Sequence, residues 1–158
     1  METQKELGLE RNDTRELALK LNELLANYHV FYQNLRAFHW NIKGENFFAL
    51  HAKFEELYTA ALETIDEVAE RILTLGHTPL HSFSDYLQHS SIKEHKNLSS
   101  GRETVSATVE NLGQIIQLER DFLKLAAECD DEGTQSLISD NLSANEKNLW
   151  MLNAFLGA

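Results

Sequence analysis

Apolar side chains recur at steps of three and four residues along four long segments of the chain. This spacing is typical of one buried face of an α-helix. Asp13 with Glu16, and Ser100 with Glu103, have the spacing of capping boxes, which predicts that helices begin just after Asp13 and Ser100. The predicted helices cover residues 14–42, 47–75, 102–128 and 134–156.

The connection between the second and third helices is unusually long. Residues 77–100 contain the chain's one Pro, and the run from Phe83 to Leu87 within them has the pattern of a short helical turn. At ~1.5 Å per residue the first two helices are each about 43 Å long, which is usual for a four-helix bundle. This order predicts an all-α, ferritin-like four-helix bundle with a long crossover, although other bundles share it. We expect a single domain over residues 1–158, with residues 1–13 as a short N-terminal tail.

Composition narrows the class of protein further. The chain is 42% apolar and 25% charged, with seven Gly and one Pro, so it lacks the turn residues that an all-β fold needs. Its formal net charge of −11 means that the average surface repels nucleic acid and anionic lipid and attracts cations. The lone cysteine, Cys129, excludes an intrachain disulfide and a cysteine-based zinc site. No segment has the pattern of a membrane span or a signal peptide, so we expect a cytoplasmic protein with no membrane partner.

Histidines and carboxylates near the first helical hairpin are the candidate metal ligands. His39 lies near the end of the first helix and His51 near the start of the second, with Glu55 one turn further on. Asp66 and Glu70 lie one turn apart later on the second helix. Histidine and carboxylate ligands together suit iron, manganese or zinc, and a mixed site with open positions favours iron.

Each of these residues also has an ordinary structural interpretation. Histidines beside aromatic residues such as Phe38 and Trp40 are often simply hydrogen-bonded within a core. Two acids one helical turn apart usually form a solvated face, and the neighbouring Arg71 could pair with Glu67. Spacing alone therefore leaves the metal site and the structural alternative open.

The spacing nevertheless constrains any metal site. His51 and Asp66 are 15 residues apart on one helix, or about 22 Å along its axis, whereas metal–ligand bonds are only about 2 Å long. If all four residues bind one ion, the histidines and the acids must come from two chains, and a two-fold axis that places the second helix antiparallel to its copy brings them together naturally. None of the seven histidines has a Glu three residues before it, so the chain lacks the Glu-x-x-His motifs of di-iron sites inside bundles.

The histidines and acids belong to one motif. It reads Phe38-His39-Trp40-Asn41-Ile42-x-Gly44-x-x-Phe47-x-x-x-His51-x-x-Phe54-Glu55, followed by Asp66-Glu67-x-Ala69-Glu70-Arg71. The motif is specific because it fixes two histidines, two acids and several framework residues at set separations. With this motif the chain resembles the Dps family, the DNA-binding proteins from starved cells or mini-ferritins. The resemblance covers the whole chain, including its length, helix order, crossover and the C-terminal helix that carries Trp150.

The resemblance implies a hollow shell of twelve subunits with ferroxidase sites at the two-fold interfaces. In this family His39 and His51 would come from one subunit, and Asp66 and Glu70 from its partner. Glu55 would be a further acidic ligand or would support the ligands from behind.

The resemblance also implies an activity. The family oxidises Fe(II), preferably with hydrogen peroxide and otherwise with oxygen, and stores ferric mineral inside the shell, which protects against oxidative stress. Zn(II) is a possible substitute for iron at the site. Trp40 matches the tryptophan that lies against the site in this family. If its ring is close to the site it could donate an electron, and its alternative role is simple core packing.

One departure concerns DNA, which many members of the family bind through basic tails. Residues 1–16 contain three basic and five acidic side chains, a net charge of −2, and no basic extension is present at the C-terminus. DNA binding is therefore in doubt. A DNA-compacting nucleoid protein with a secondary iron site is the alternative function.

Two further groups of residues have open roles. Acidic side chains could line a pore through which iron enters, or could cap the fourth helix through its dipole. The pore candidates are Asp121, Asp130, Asp131 and Glu146. The crossover histidines, interpreted as surface loop residues, are His77, His81, His89 and His95.

Overall fold

The computed structural model describes residues 6–158, and its helices follow the predicted order. Residues 6–158 contain no β-strand, and no helix among them is long and apolar enough to cross a membrane. The prediction of an all-α four-helix bundle with a long crossover is confirmed. Of the proposed tail, residues 1–5 lie outside the described residues and residues 11–13 already belong to the first helix. The helices are α1 (Arg11–Asn41), α2 (Phe47–Thr74), α3 (Phe83–His89), α4 (Gly101–Glu128) and α5 (Glu132–Leu156).

The ends of the helices test the predicted caps. Glu10 occupies the N-cap position of α1, and its carbonyl accepts the N–H of Thr14 at 3.1 Å. Asp13 therefore lies inside the first turn, so the capping box predicted there is wrong, although an acidic side chain in this turn favours the helix dipole. The cap predicted at Ser100 is confirmed, because the hydroxyl of Ser100 accepts the N–H of Glu103 at 3.3 Å.

The apolar faces of the four long helices meet in one core. Helix α1 packs against α2, α3 and α4, and α4 packs against α5. On α4 the buried face includes Val105, Leu112, Ile115, Phe122 and Ala126, whereas Ile116 and Leu123 are only half-buried. This face also includes Glu119, whose carboxyl group is fully buried in the bundle.

Two buried asparagines of α1 hold the crossover against the bundle. The side-chain oxygen of Asn27 accepts the N–H groups of Ser91 and Ile92, each at 3.0 Å. Asn34 donates to the carbonyl of Lys93 at 2.9 Å and accepts the N–H of His95 at 3.0 Å. These bonds satisfy backbone groups that have no helical partner, so the crossover is fixed along α1. The short helix α3 predicted within it is confirmed.

Candidate metal centre

His39 and His51 form a closely packed pair where α1 and α2 approach their connecting turn. Gly44 makes this tight turn possible with a backbone φ of 106°, a value that favours glycine. The Nδ1 atom of His39 lies 2.7 Å from the carbonyl oxygen of His51, and the Nδ1 atom of His51 lies 2.8 Å from the carbonyl oxygen of His39. The two rings stack with centroids 3.7 Å apart. Each histidine is therefore fixed by the backbone of the other.

These reciprocal contacts determine the chemistry of both rings. A carbonyl oxygen can only accept a hydrogen bond, so each Nδ1 carries the hydrogen that it donates. In a neutral imidazole the Nε2 atom then keeps its lone pair, and this is the nitrogen that can bind a metal ion. A backbone carbonyl behind a ligating histidine is also the usual arrangement that fixes ring orientation in metal sites. If His39 and His51 were ordinary core histidines, their two Nε2 atoms would have no assigned role.

Aromatic side chains surround the pair. Phe47 stacks on His51 with centroids 5.1 Å apart, and the edge of Tyr58 meets His39 at 5.3 Å. Tyr58 in turn meets Tyr32 edge-on at 6.0 Å. His39 is only 8% exposed. The rings are therefore held in a partly dry environment, which favours tight metal coordination.

The acidic residues of the motif lie elsewhere on α2. Glu55, Asp66 and Glu70 are all exposed, and within residues 6–158 the side chains of Asp66 and Glu70 have neither a hydrogen bond nor an ion pair. Among the described residues, no group of three or more His, Cys, Asp or Glu side chains could hold a metal ion. One chain therefore brings the two histidines together but does not bring the acids to them.

Trp40 does not pack in the core, so the core-packing alternative for this residue is wrong. Its side chain is 57% exposed and lies under the guanidinium of Arg36, 4.6 Å from the ring centroid. The same guanidinium lies 5.3 Å from the centroid of Tyr32. Within residues 6–158, Trp40 makes no ring contact with either histidine of the pair.

Arg71, the last residue of the motif, has a structural role between α2 and α5. Its guanidinium donates to Asp131 at 2.7 Å and to the hydroxyl of Thr134 at 2.8 Å, so the alternative pairing with Glu67 is wrong. Asp131 is 3% exposed and caps α5 by accepting the N–H of Thr134 at 3.0 Å. The capping role of Asp131 is thus confirmed. Its burial also removes it from any pore surface.

The other acidic pore candidates remain at the surface. Asp121 is exposed and accepts hydrogen bonds from Gln117 and Lys124, which hold the pKa of its carboxyl below the usual range. Glu146 pairs with Arg120. Asp130 is exposed, with a left-handed φ of 52°, next to the cap of α5.

The remaining histidines form no metal-binding group within the part of the chain that the structure describes. His81 and His89 are exposed, as expected for surface loop residues. His77 and His95 are half-buried instead; His77 approaches the hydroxyl of Thr14 at 3.3 Å. His29, which the sequence analysis did not single out, stacks on Tyr86 with centroids 3.7 Å apart, and burial lowers its pKa to about 4.

Sequence reasoning also missed a buried carboxylic acid in the bundle. Glu119 accepts a hydrogen bond from the Tyr28 hydroxyl at 2.7 Å and from the Asn145 amide at 3.0 Å. Burial raises the pKa of Glu119 to about 7, although both hydrogen bonds act to lower it. The spacing could have identified Glu119 as buried, because it lies four residues after Ile115 and three before Phe122, on the same helix face.

The chain is similar to several known proteins. The sequence matches the family model described as Ferritin-like domain over residues 18–158. An uncharacterized protein of Haemophilus influenzae is 52% identical over 94% of this chain and 92% of the relative. The DNA protection during starvation protein of Brevibacillus brevis is 41% identical over 89% of this chain and 94% of the relative. The crystal structure of a Dps protein from Vibrio cholerae O1, described as a member of a broad superfamily of ferritin-like diiron-carboxylate proteins, matches with a TM-score of 0.92 and 51% identity, covering 94% of this chain and 93% of that chain.

Proposed function

The chain belongs to the Dps family of ferritin-like proteins, and on this basis we propose that it is a ferroxidase that oxidises Fe(II), preferably with hydrogen peroxide, and stores the ferric product. Membership confirms the resemblance carried by the histidine and acidic motifs. The observation that carries the proposal is the pair of histidines, each with Nδ1 held by a carbonyl and Nε2 available to a metal ion.

We propose that each site is completed by a second copy of the chain. His39 and His51 would bind Fe(II) from one subunit, and Asp66 and Glu70 would bind it from the partner across a two-fold axis. The exposure of the two acids, and their lack of a side-chain partner within residues 6–158, support this arrangement. So does their separation from His51, which is about 22 Å for Asp66 on a straight helix. Glu55, exposed one turn after His51, would supply a further oxygen ligand.

The donor set suits the reaction. Neutral imidazoles and carboxylates together hold Fe(II), and two negative charges favour the more highly charged Fe(III) product. Oxidation of two Fe(II) ions supplies the two electrons that one hydrogen peroxide needs to form two waters with two protons. Consuming peroxide and Fe(II) together in this way prevents their reaction to hydroxyl radical.

The proposed storage of iron depends on the assembly of subunits into a shell. We propose a hollow shell of twelve subunits in the cytoplasm, in which ferric mineral accumulates and protects the cell from oxidative stress. Asp130 is the best-supported acid for an iron entry pore, because it is exposed and has no side-chain ion pair within residues 6–158, whereas Asp131 is buried and Asp121 and Glu146 pair with Lys124 and Arg120.

Iron oxidation by the purified protein tests the proposal. Fe(II) added with hydrogen peroxide should be oxidised faster than in buffer, and size-exclusion chromatography should show iron eluting with a shell of about twelve subunits. The double variant His39→Ala, His51→Ala should lose this activity. The matched control His81→Ala, His89→Ala removes two exposed histidines and should keep it. A monomer that does not accelerate iron oxidation would contradict the proposal.

DNA compaction is the weaker alternative, although the relatives' printed name refers to DNA protection. Phosphate neutralisation supplies most non-specific affinity for DNA, and this chain has a net charge of −11. We therefore expect no strong binding of duplex DNA at about 0.15 M salt with a chelator present. Stable complexes at sub-micromolar protein in a gel-shift assay would favour the alternative.

A further inference from the structure

Helix α5 carries three asparagines on the face that it turns towards α2. Asn141, Asn145 and Asn148 are spaced by four and three residues, so they share one face of the helix. All three line a cavity of about 70 Å³ that also reaches Tyr28 of α1 and Thr64 of α2. Because buried polar groups need hydrogen-bond partners, the cavity is suited to a polar occupant.

The side chain of Asn141 lacks one of the partners that it needs. Its amide nitrogen is buried and has no hydrogen bond within residues 6–158. Its oxygen lies 3.2 Å from the hydroxyl of Thr64, and the same hydroxyl lies 3.2 Å from the carbonyl oxygen of Ala60. Turning the amide over would only exchange the atom that meets Thr64. In either orientation one polar atom of Asn141 requires a partner that the chain does not supply.

The cavity opens to solvent between α2 and α5. Ala60 and Ala144 line it from these two helices, and both are exposed at the surface. Asn148, which also lines it, accepts a hydrogen bond from the ammonium group of Lys53 at 3.3 Å. A water molecule occupies about 30 Å³ in the liquid, so the cavity has room for about two. Water can therefore enter it and reach the amide of Asn141.

The inner end of the cavity leads to the buried carboxyl group of Glu119. The Tyr28 hydroxyl donates to this carboxyl group at 2.7 Å, and the Asn145 amide donates to the hydroxyl oxygen at 2.8 Å. A hydroxyl oxygen has two lone pairs, so one remains for water when Asn145 uses the other. Burial and the charge of Glu119 hold the pKa of Tyr28 well above its usual range, so this side chain stays a hydroxyl.

We propose that the cavity binds two ordered water molecules, and that they and the Tyr28 hydroxyl carry protons between solvent and Glu119. In proton uptake, a proton from water bonds to the Tyr28 oxygen while the proton of that hydroxyl passes to the carboxylate. One O–H bond forms as the other breaks at Tyr28, which is neutral before and after the step. The bundle interior thus contains a proton acceptor that is connected to solvent. The inference is independent of the proposed ferroxidase function, because no metal ion takes part.

The charges around Glu119 place its titration near neutral pH. Burial raises the pKa of Glu119 to about 7, and the charge of Glu146 on α5 acts in the same direction. The hydrogen bonds from Tyr28 on α1 and Asn145 on α5 act to lower the pKa. Helix α2 lines the cavity with neutral side chains only. Water in the cavity favours the ionised carboxylate, so its removal should raise the pKa of Glu119 further.

Infrared spectroscopy of the assembled protein tests the proton route. The carbonyl stretch of the protonated Glu119 carboxyl group is identified as the band that Glu119→Gln removes. On transfer to D2O at a pH below 7 this band should shift rapidly in the wild type. Asn141→Leu fills the cavity with an apolar side chain, so the exchange should be slowed by about tenfold or more because it then depends on local opening of the bundle. The band should also persist to higher pH than in the wild type.

The control for this experiment is Asn153→Leu, which makes the same substitution on α5 outside the cavity and should exchange at the wild-type rate. Equal exchange rates in Asn141→Leu and the wild type would overturn the proton route. A high-resolution crystal structure of the wild type keeps the test independent of variant folding. It should show two ordered waters, one bonded to Asn141 and one to the Tyr28 hydroxyl, and a dry cavity would overturn the inference.

Discussion

His39 and His51 hold each other through two hydrogen bonds and stacked rings, whereas Asp66 and Glu70 lie exposed on α2 without a partner in residues 6–158. All four residues belong to one sequence motif, yet only the histidines are organised by their own chain. A short turn brings the histidines together, but about 22 Å of straight helix separates His51 from Asp66. The difference shows that one chain positions the histidines by itself but not the acids, which under the proposed two-chain site would come from a second copy.

The largest expected effect comes from removing the two histidines in one variant and the two acids in another. One variant carries His39→Ala and His51→Ala, and the other carries Asp66→Ala and Glu70→Ala. Each shell alone should oxidise iron at the background rate, because every site lacks half of its ligands. Co-assembled at equal amounts, random pairing gives intact histidines facing intact acids at about a quarter of the sites. Stopped-flow iron oxidation should therefore recover about a quarter of wild-type activity.

The control for this experiment is a mixture of the two variant shells that were assembled separately and never dissociated. Its activity should stay at background. If native mass spectrometry shows mixed shells and activity still fails to recover, the histidines and acids do not share a site across two chains.

The same contrast shows how far the sequence could predict the molecule. Six of the eight boundaries of α1, α2, α4 and α5 agree with the prediction to within one residue, because Gly and cap residues mark them. The start of α1 was missed by three residues because Glu10 has no distinctive capping side chain. The candidate ligands could be named from the sequence because the motif fixes residue type and spacing, and their role stays a prediction.

Side-chain partners were harder to predict. Periodicity places a residue on a face, but it does not identify the atom that accepts a hydrogen bond. The reciprocal bonds of His39 and His51 depend on the carbonyl of the opposite helix, which no pattern of residue types records. The sequence offers Glu67, one turn away, as an alternative partner for Arg71, whereas its partner in the structure, Asp131, is 60 residues distant in sequence.

Glu119 contrasts with Asp66 and Glu70, because it is a carboxylic acid that is buried and hydrogen-bonded within its own chain. Burial raises its pKa from the usual 4.5 to about 7 in the folded protein. The resulting stabilisation is fully present below pH 4.5 and is lost as the pH rises through 7, because the unfolded chain ionises first. A shift of this size corresponds to about 3 kcal/mol of unfolding free energy.

Glu119→Gln removes the titrating proton but keeps an oxygen for the Tyr28 hydroxyl. We expect the variant to lack about 3 kcal/mol of the decline in unfolding free energy that the wild type shows between pH 4.5 and 7. Denaturant titrations at fixed protein concentration measure the difference. Glu70→Gln is the matched control, since this acid is exposed and should leave the decline in place. Parallel curves for wild type and Glu119→Gln would show that Glu119 ionises normally.

Asp130 and Asp131 are adjacent in sequence, but the first is exposed and the second is buried and paired. Asp131→Asn leaves Arg71 without its counter-charge and should cost about 2 kcal/mol of unfolding free energy. Asp130→Asn tolerates the left-handed backbone and should change stability by less than about 0.5 kcal/mol. Iron uptake should show the opposite order, with slower mineral growth only in Asp130→Asn. Equal uptake in both variants would remove Asp130 from the entry route.

The prediction with the smallest expected effect tests how much the aromatic side chains around His39 and His51 contribute to metal binding by this pair. Phe47→Ala removes the ring stacked on His51 and frees that imidazole to rotate, although both hydrogen bonds to the backbone can still form. Because groups that orient metal ligands typically affect affinity by about 10- to 100-fold, we expect Zn(II) to bind about tenfold more weakly. Isothermal titration calorimetry with Zn(II), which does not undergo oxidation, measures this without turnover. Phe48→Ala is the control: its side chain is 85% exposed and contacts Phe47 rather than His51, so Zn(II) affinity should be unchanged. Equal affinities for Phe47→Ala and wild type would mean that the reciprocal hydrogen bonds alone orient the pair.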